Sequence, residues 1–151
     1  MYKKILLGVD RSKNSMKAIN KAINLAKRDS SEVVVFHSVI HKFSDFSPVM
    51  TQDIYPGGRI IYELRENREK EAQELLDEVK AIFEKANVPV ETRLKYDIGP
   101  QYYIEKQVES EGFDLVLLGC AGEHSKIKRT FLGTIPEYVL NNASCDVLIV
   151  K

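Results

Sequence analysis

Glycines and a hydroxyl residue that follow an apolar segment form the most informative pattern in the sequence. Two residues separate Gly119 from Gly122, and Gly133 and Thr134 come after ten more. Glycine lets a backbone turn tightly and approach a ligand with no Cβ in the way. Gly133 and Thr134 open a helical pattern, and the free N–H groups of a helix N-terminus favour an anion. The pattern predicts a phosphate site, and its alternative is an ordinary strand exit followed by a helix cap.

Basic residues between the two halves of this pattern would add positive charge to such a site. They are Lys126, Lys128 and Arg129. His124 lies in the same segment and is expected to be a solvated loop histidine.

Five short runs rich in Val, Ile and Leu predict the strands that position this segment. Most of them are nearly continuous rather than alternating, which is typical of strands covered on both faces. The runs are residues 4–9, 33–39, 90–96, 115–119 and 147–150.

Helical periods lie between these runs. The first helix follows a Ser12 cap, and its predicted apolar face is Met16, Ile19, Ala22, Ile23 and Ala26. A longer helix carries a stripe of Ala72, Leu75, Leu76, Val79, Ile82, Phe83 and Ala86. The third is marked by Ile104 and Val108, and the fourth by Ile135, Val139 and Leu140.

This alternation predicts an α/β fold: one domain over residues 1–151, with an open, doubly wound, Rossmann-like sheet of five parallel strands and four flanking helices. Such sheets bind ligands at the carboxyl ends of their strands, here after Val9, Val39, Tyr96 and Gly119. The long connection at residues 41–60 is interpreted as a flap near the site, or else as a linker without function.

Segments spread over the whole chain resemble the universal stress protein family, whose fold is of the adenine nucleotide alpha hydrolase type. They are residues 3–10 with Ser12, residues 35–39, Gly99-Pro100, and residues 114–119 and 147–150. The nucleotide-binding branch of that family carries Gly, two residues, Gly, nine residues, Gly and then Ser or Thr. Gly119, Gly122, Gly133 and Thr134 match, except that ten residues precede Gly133. Arg11 stands where relatives often have glycine.

The resemblance implies that the protein binds ATP with Mg²⁺. Asp10 would face the adenosine, although a carboxylate there would also cap the first helix, and the backbone at Ser38 or Val39 would meet the adenine edge. The implied binding residues are Gly8, Val9, Asp10, Ser38, Val39, Gly119, Gly122, Arg129, Gly133, Thr134 and Ile135. We predict no dedicated catalytic residue and no protein metal site, although weak ATPase activity would be compatible with the site.

Two other functions remain open. One is a nucleotide-free, dimeric interaction protein of the same fold. The other is an enzyme that uses ATP as a substrate, which rests on an analogy of fold alone. Members of the family usually dimerise through the last strand, so a homodimer through residues 147–150 is expected.

Composition limits the other partners. Basic and acidic residues number 22 each, which gives no general attraction to nucleic acid or to an anionic membrane. The apolar run at residues 5–7 is too short for a signal peptide, and no run is long enough to span a membrane, so a cytoplasmic location is expected. Cys120 and Cys145 are expected to be reduced, and His37 and His41 to be core or rim residues.

Overall fold

A computed structural model describes residues 1–41, 58–120 and 132–151. In chain order the elements are β1 (Lys4–Gly8), α1 (Lys13–Asp29), β2 (Glu32–Val39), α2 (Gly58–Lys85), β3 (Glu91–Tyr96), α3 (Pro100–Glu111), β4 (Leu115–Gly119), α4 (Thr134–Asn142) and β5 (Asp146–Val150). The predicted flap at residues 41–60 lies mostly outside the described residues. Only residue 41 and residues 58–60, which begin α2, belong to both. No described helix is long and apolar enough to cross a membrane.

All five strands are parallel, and their order in the sheet is β3-β2-β1-β4-β5. The chain first winds outward from β1 to β3 and then returns to the other side of β1, so the winding reverses between β1 and β4. This is the predicted doubly wound sheet. The reversal leaves a crevice at the carboxyl ends of β1 and β4, because the connections that leave these strands turn in opposite directions.

Two apolar cores cover the two faces of the sheet. Ile5, Leu7 and Val35 belong to the core under α1 and α2. Leu6 and Phe36 belong to the core under α3 and α4. Alternate residues of one strand therefore enter different cores, and all of them are buried. This is why β1, β2 and β4 carry uninterrupted apolar runs, whereas the edge strand β3 does not.

The cap predicted for α1 is confirmed, and its predicted apolar face is partly wrong. The hydroxyl of Ser12 accepts a hydrogen bond from the N–H of Ser15 at 3.1 Å. Met16 is 46% exposed, and Ala18 and Leu25 are buried in its place. The predicted face of α4 needs a similar correction, because Leu140 is 44% exposed while Val139 is buried. In both helices, spacing by three or four residues identified a stripe but extended it one residue too far around the helix.

A partly buried arginine ties the edge strand β3 to α3. The Arg93 guanidinium contacts the Glu111 carboxylate at 2.6 and 3.0 Å and the Glu91 carboxylate at 2.6 Å. Only 17% of the Arg93 side chain is exposed. Its hydrogen bonds lower the pKa of Glu111 from about 4.5 to about 2. Lys4 adds a longer contact to Glu111, at 3.3 Å.

We predict that Arg93→Met lowers the free energy of unfolding at pH 7 by about 1–3 kcal/mol, because it leaves the Glu111 carboxylate with fewer partners. In the parent, the stabilisation from Glu111 is present above pH 4.5 and is lost as the pH falls toward 2. The difference between parent and variant should therefore shrink between pH 7 and pH 3 in urea titrations. Lys85→Met, at an exposed position, is the control. An equal difference at both pH values would contradict the assignment.

Candidate functional site

A cavity of about 790 Å³ opens at the carboxyl ends of β1, β2 and β4, where the winding of the sheet reverses. The structure brings nine of the predicted residues to its wall: Gly8, Val9, Asp10, Ser38, Val39, Gly119, Gly133, Thr134 and Ile135. The other two, Gly122 and Arg129, lie outside the described residues, as do His124, Lys126 and Lys128. The described part of the predicted site is thus one contiguous surface.

The turn after β1 is held by its own hydrogen bonds. The N–H of Asp10 donates to the hydroxyl of Ser15 at 3.0 Å, and the N–H of Ser12 donates to Asp10 Oδ1 at 2.9 Å. Ser15 is only 2% exposed. Asp10 therefore does support the start of α1, which was the structural alternative for this residue. Its second oxygen, Oδ2, has no hydrogen bond to the described residues and remains able to accept one from a ligand.

The end of β2 is held by the loop that follows β3. The Ser38 hydroxyl donates to the Ile98 carbonyl, and the Val39 carbonyl accepts from the N–H of Asp97 at 2.9 Å. The Asp97 carboxylate accepts from the N–H of His41 at 2.9 Å, and this hydrogen bond lowers the pKa of Asp97. The backbone from Ser38 to His41 is consequently fixed along the cavity wall.

Gly119, at the end of β4, is required by packing. A Cβ on Gly119 would lie 3.0 Å from the backbone carbonyl carbon of Asn14 and 3.0 Å from the backbone nitrogen of Ser15. The first turn of α1 therefore already occupies the space in front of this glycine. The prediction that Gly119 lets the backbone approach a ligand needs correction on this point, because the close neighbour on its Cβ side is a helix.

Hydrogen bonds at Cys120 bring the chain back to the sheet after the predicted glycine loop. The Cys120 N–H donates to the Val150 carbonyl at 2.8 Å, and the Cys120 carbonyl accepts from the N–H of Gly133 at 3.0 Å. Gly133 therefore reaches the end of β4 in spite of the extra residue before it. Its backbone is extended, with φ −62° and ψ 159°, a conformation open to any residue. The glycine at this position is not explained by backbone strain.

The N-terminus of α4 presents unpaired amides to the cavity. Gly133 is the N-cap and no side chain caps the helix. The first backbone bond of the helix runs from the Glu137 N–H to the Gly133 carbonyl at 3.1 Å. The N–H groups of Thr134 and Ile135 have no partner among the described residues, and Pro136 has no N–H. Two free amides, the helix dipole and the Thr134 hydroxyl thus face the cavity, and together they suit an anion.

Several residues of the cavity wall were not predicted to take part in the site. They include Arg11, Ser15, His37, Ile40, Arg68 and Glu71. Arg68 lies four residues before Ala72, and Glu71 lies four residues before Leu75, so both continue the buried stripe of α2. This spacing indicated that they face the sheet, but the charged residues around them obscured the pattern. Arg11 reaches α2, where it contacts the Glu78 carboxylate at 3.3 Å and the Glu71 carbonyl at 3.4 Å. No group of three or more potential metal-ligating side chains occurs within residues 1–41, 58–120 and 132–151.

Fold and site together define a doubly wound α/β protein with a ligand cavity at the reversal of its sheet. The universal stress protein family model matches residues 1–151, and the chain belongs to that family. A universal stress protein of Methanocaldococcus jannaschii is 33% identical over 151 residues, which cover 100% of this chain and 83% of the relative. A universal stress protein of Synechocystis is 32% identical over 162 residues, with 99% of this chain and 98% of the relative covered.

Solved structures of the family share the fold. The universal stress protein UspA from Lactobacillus plantarum superposes with a TM-score of 0.80 at 24% identity, over 99% of this chain and 98% of that one. An Archaeoglobus fulgidus universal stress protein in complex with dAMP gives a TM-score of 0.65 at 18% identity, over 99% and 98% of the two chains. A universal stress protein family protein from Arabidopsis thaliana with AMP bound gives a TM-score of 0.66 at 15% identity, over 99% of this chain and 91% of that one.

We predict that Gly119→Ala lowers the free energy of unfolding by about 1–3 kcal/mol, because the new methyl group would press on the backbone of α1. Thermal or urea unfolding measures this change. If the glycine instead served only to admit a ligand, the variant would be as stable as the parent and defective only in binding. Ser110→Ala, on the far side of the sheet from α1, is the control for handling and expression.

Proposed function

We propose that this protein is an ATP-binding universal stress protein, a module whose shape or partner depends on the bound nucleotide. One observation carries the proposal: the cavity at the sheet reversal joins the Asp10 turn, the end of β2 and the free amides of α4 on one surface. Its volume of about 790 Å³ lies within the usual range for small-molecule pockets.

The polarity of the cavity suggests how a nucleotide would lie in it. Anionic phosphates suit the N-terminus of α4, where Thr134 and Ile135 offer free N–H groups. The adenosine would then extend toward β1 and β2. There Asp10 Oδ2 can accept a ribose or adenine hydrogen bond, and the fixed backbone at Val39 borders the base. A carbonyl has two lone pairs, so the Val39 carbonyl can still accept a second hydrogen bond.

The relatives favour adenine as the base. Structures of the same fold hold dAMP or AMP, and another universal stress protein structure is a complex with cAMP. These ligands share an adenine and differ in their phosphates and sugars. ATP in this protein is therefore an inference from the match of Gly119, Gly133 and Thr134 to the nucleotide-binding pattern and from the amides at α4.

Mg²⁺ would be carried by the nucleotide in this proposal. Mg²⁺ usually keeps several waters and binds through phosphate oxygens and one or two carboxylates, without a cage of protein ligands. Binding that depends on Mg²⁺ for ATP but not for adenosine would support it.

We predict that Gly133→Val lowers ATP affinity at least tenfold, or about 1.4 kcal/mol of binding free energy, because a branched side chain would stand beside the free amides of α4. Thr134→Ala should cost less, since water or a neighbouring amide can replace one hydroxyl. Isothermal calorimetry with ATP, GTP and adenosine measures these affinities.

Adenosine serves as the internal control, because it makes no phosphate contact and should bind both variants nearly as it binds the parent. A folded Gly133→Val variant that binds ATP like the parent would favour the nucleotide-free interaction protein. Equal affinity of the parent for ATP and GTP would remove the adenine assignment.

We also propose that two copies of the chain pair through β5. This strand is at one edge of the sheet and, among the described strands, pairs only with β4. The Val150 carbonyl accepts from Cys120 and so points toward β4. Backbone groups alternate along a strand, so the N–H and C=O of Val147 and Ile149 point away from the sheet, where a second copy can pair with them.

Ile149→Pro should convert the dimer to a monomer, because it removes an outward N–H and leaves the bonds to β4 in place. Ile149→Ala loses similar packing but keeps the N–H, so this matched control should remain dimeric. Sedimentation velocity or light scattering gives the mass of each. A folded Ile149→Pro variant that is still a dimer would rule out pairing through β5.

A further inference from the structure

His37 lies on β2 and reaches across to the chain that leaves β1. Its Nδ1 is 2.7 Å from the carbonyl oxygen of Val9. A carbonyl oxygen can only accept a hydrogen bond, so Nδ1 must carry the hydrogen. The N–H of the same Val9 donates to the Phe36 carbonyl at 3.1 Å. The imidazole ring thus continues the pairing of β1 with β2 just beyond the last residue of β1.

This hydrogen bond fixes the chemistry of the other ring nitrogen. When Nδ1 of a neutral imidazole carries the hydrogen, Nε2 is a hydrogen-bond acceptor. His37 lines the cavity and is partly exposed there. Its Nε2 has no hydrogen bond to the described residues, and it is not among their fully buried unpaired polar atoms. An accessible acceptor of fixed tautomer therefore belongs to the cavity wall.

We propose that His37 is a specificity-determining residue that accepts, at Nε2, a hydrogen bond from a donor group of the bound nucleotide. This inference rests on the proposed nucleotide binding. The donor groups of an adenine nucleotide are the exocyclic amine of the base and the hydroxyls of the ribose. Phosphate oxygens, and the 6-oxo group of guanine or hypoxanthine, are acceptors and would meet the lone pair of Nε2 unfavourably.

Hydrogen bonds around His37 fix the orientation of its imidazole ring before a ligand binds. The Val9 peptide is held on both sides by β2, and the Asp10 N–H that follows is held by Ser15. The ring therefore needs no reorientation when a ligand arrives, so little of the binding free energy is lost in ordering it. Ser38, the next residue, has its hydroxyl committed to the Ile98 carbonyl. His37 is therefore the side chain of β2 best able to distinguish one nucleotide from another at this wall of the cavity.

Two substitutions of His37 separate its hydrogen bond to the Val9 carbonyl from its proposed hydrogen bond to the ligand. In His37→Asn the side-chain amide can take the place of Nδ1–H and still donate to the Val9 carbonyl, but nothing replaces Nε2. In His37→Gln the longer side chain places an amide near the position of Nε2 and can accept there. We expect His37→Asn to melt close to the parent and His37→Gln to retain more of the parent's nucleotide preference.

The test compares the affinities of ATP, ITP and 2′-deoxy-ATP for the parent and both variants by calorimetry. ITP replaces the amine with a carbonyl, and 2′-deoxy-ATP removes one ribose hydroxyl. We expect the parent to disfavour one of these analogues by about tenfold relative to ATP, and we expect His37→Asn to reduce that ratio to about two. If His37→Asn loses the parent's preference for ATP over ITP, the amine of the base is the donor. If it loses the preference for ATP over 2′-deoxy-ATP, the ribose hydroxyl is the donor.

Failures of this inference and of the proposed function are distinguishable. If the parent binds ATP and folded His37→Asn keeps every affinity ratio of the parent, the role of His37 is wrong and nucleotide binding stands. If His37→Asn does not fold, the parent and His37→Gln decide the matter. A preference of the parent that His37→Gln retains at least in part supports the role of His37, and affinity ratios of about one in the parent, or a preference of the parent that folded His37→Gln lacks, overturn it. If the parent binds none of the three nucleotides, the proposed function itself fails.

Discussion

The contact between the first turn of α1 and the last residue of β4 is the constraint on which the site depends. Gly119 admits the backbone of Asn14 and Ser15 at a distance that a side chain would not allow. Because α1 sits so close, the Ser15 hydroxyl reaches the Asp10 N–H, and the Asn14 amide reaches the Cys120 sulfur at 3.0 Å. The exits of β1 and β4, which border the cavity, are thereby fixed relative to each other.

The sequence was sufficient to predict the sheet because burial on both faces leaves a clear mark. The strands β1, β2, β4 and β5 contribute side chains to both cores, so each carries an apolar run, and the five predicted runs gave five strands close to their observed bounds. Helix faces were less certain. Met16 is spaced correctly from Ile19, but spacing does not say which flank of the stripe meets the sheet, and tertiary packing leaves Met16 exposed.

The site was predictable where it depends on strand ends and less so where it depends on crossovers. The residues at the ends of β1, β2 and β4 converge because parallel strands end at the same edge of a sheet. Arg68 and Glu71 reach the cavity only because α2 crosses over that edge, which residue types do not reveal. His37 was interpreted as a core or rim residue, and its bond to Val9 links two strands that are distant in sequence. The reason for Gly119 was likewise invisible without the position of α1.

The pair of hydrogen bonds at Cys120 has a consequence for how this protein can vary. The carbonyl of Cys120 meets the N–H of Gly133, and the N–H of Cys120 is anchored on β5, so the stretch of chain between them begins and ends at one fixed point of the sheet. Residues can be inserted or removed within it while both ends keep their places. The number of residues between these two anchors can therefore change at little cost in free energy, since the cost of closing a longer loop grows only slowly with its length.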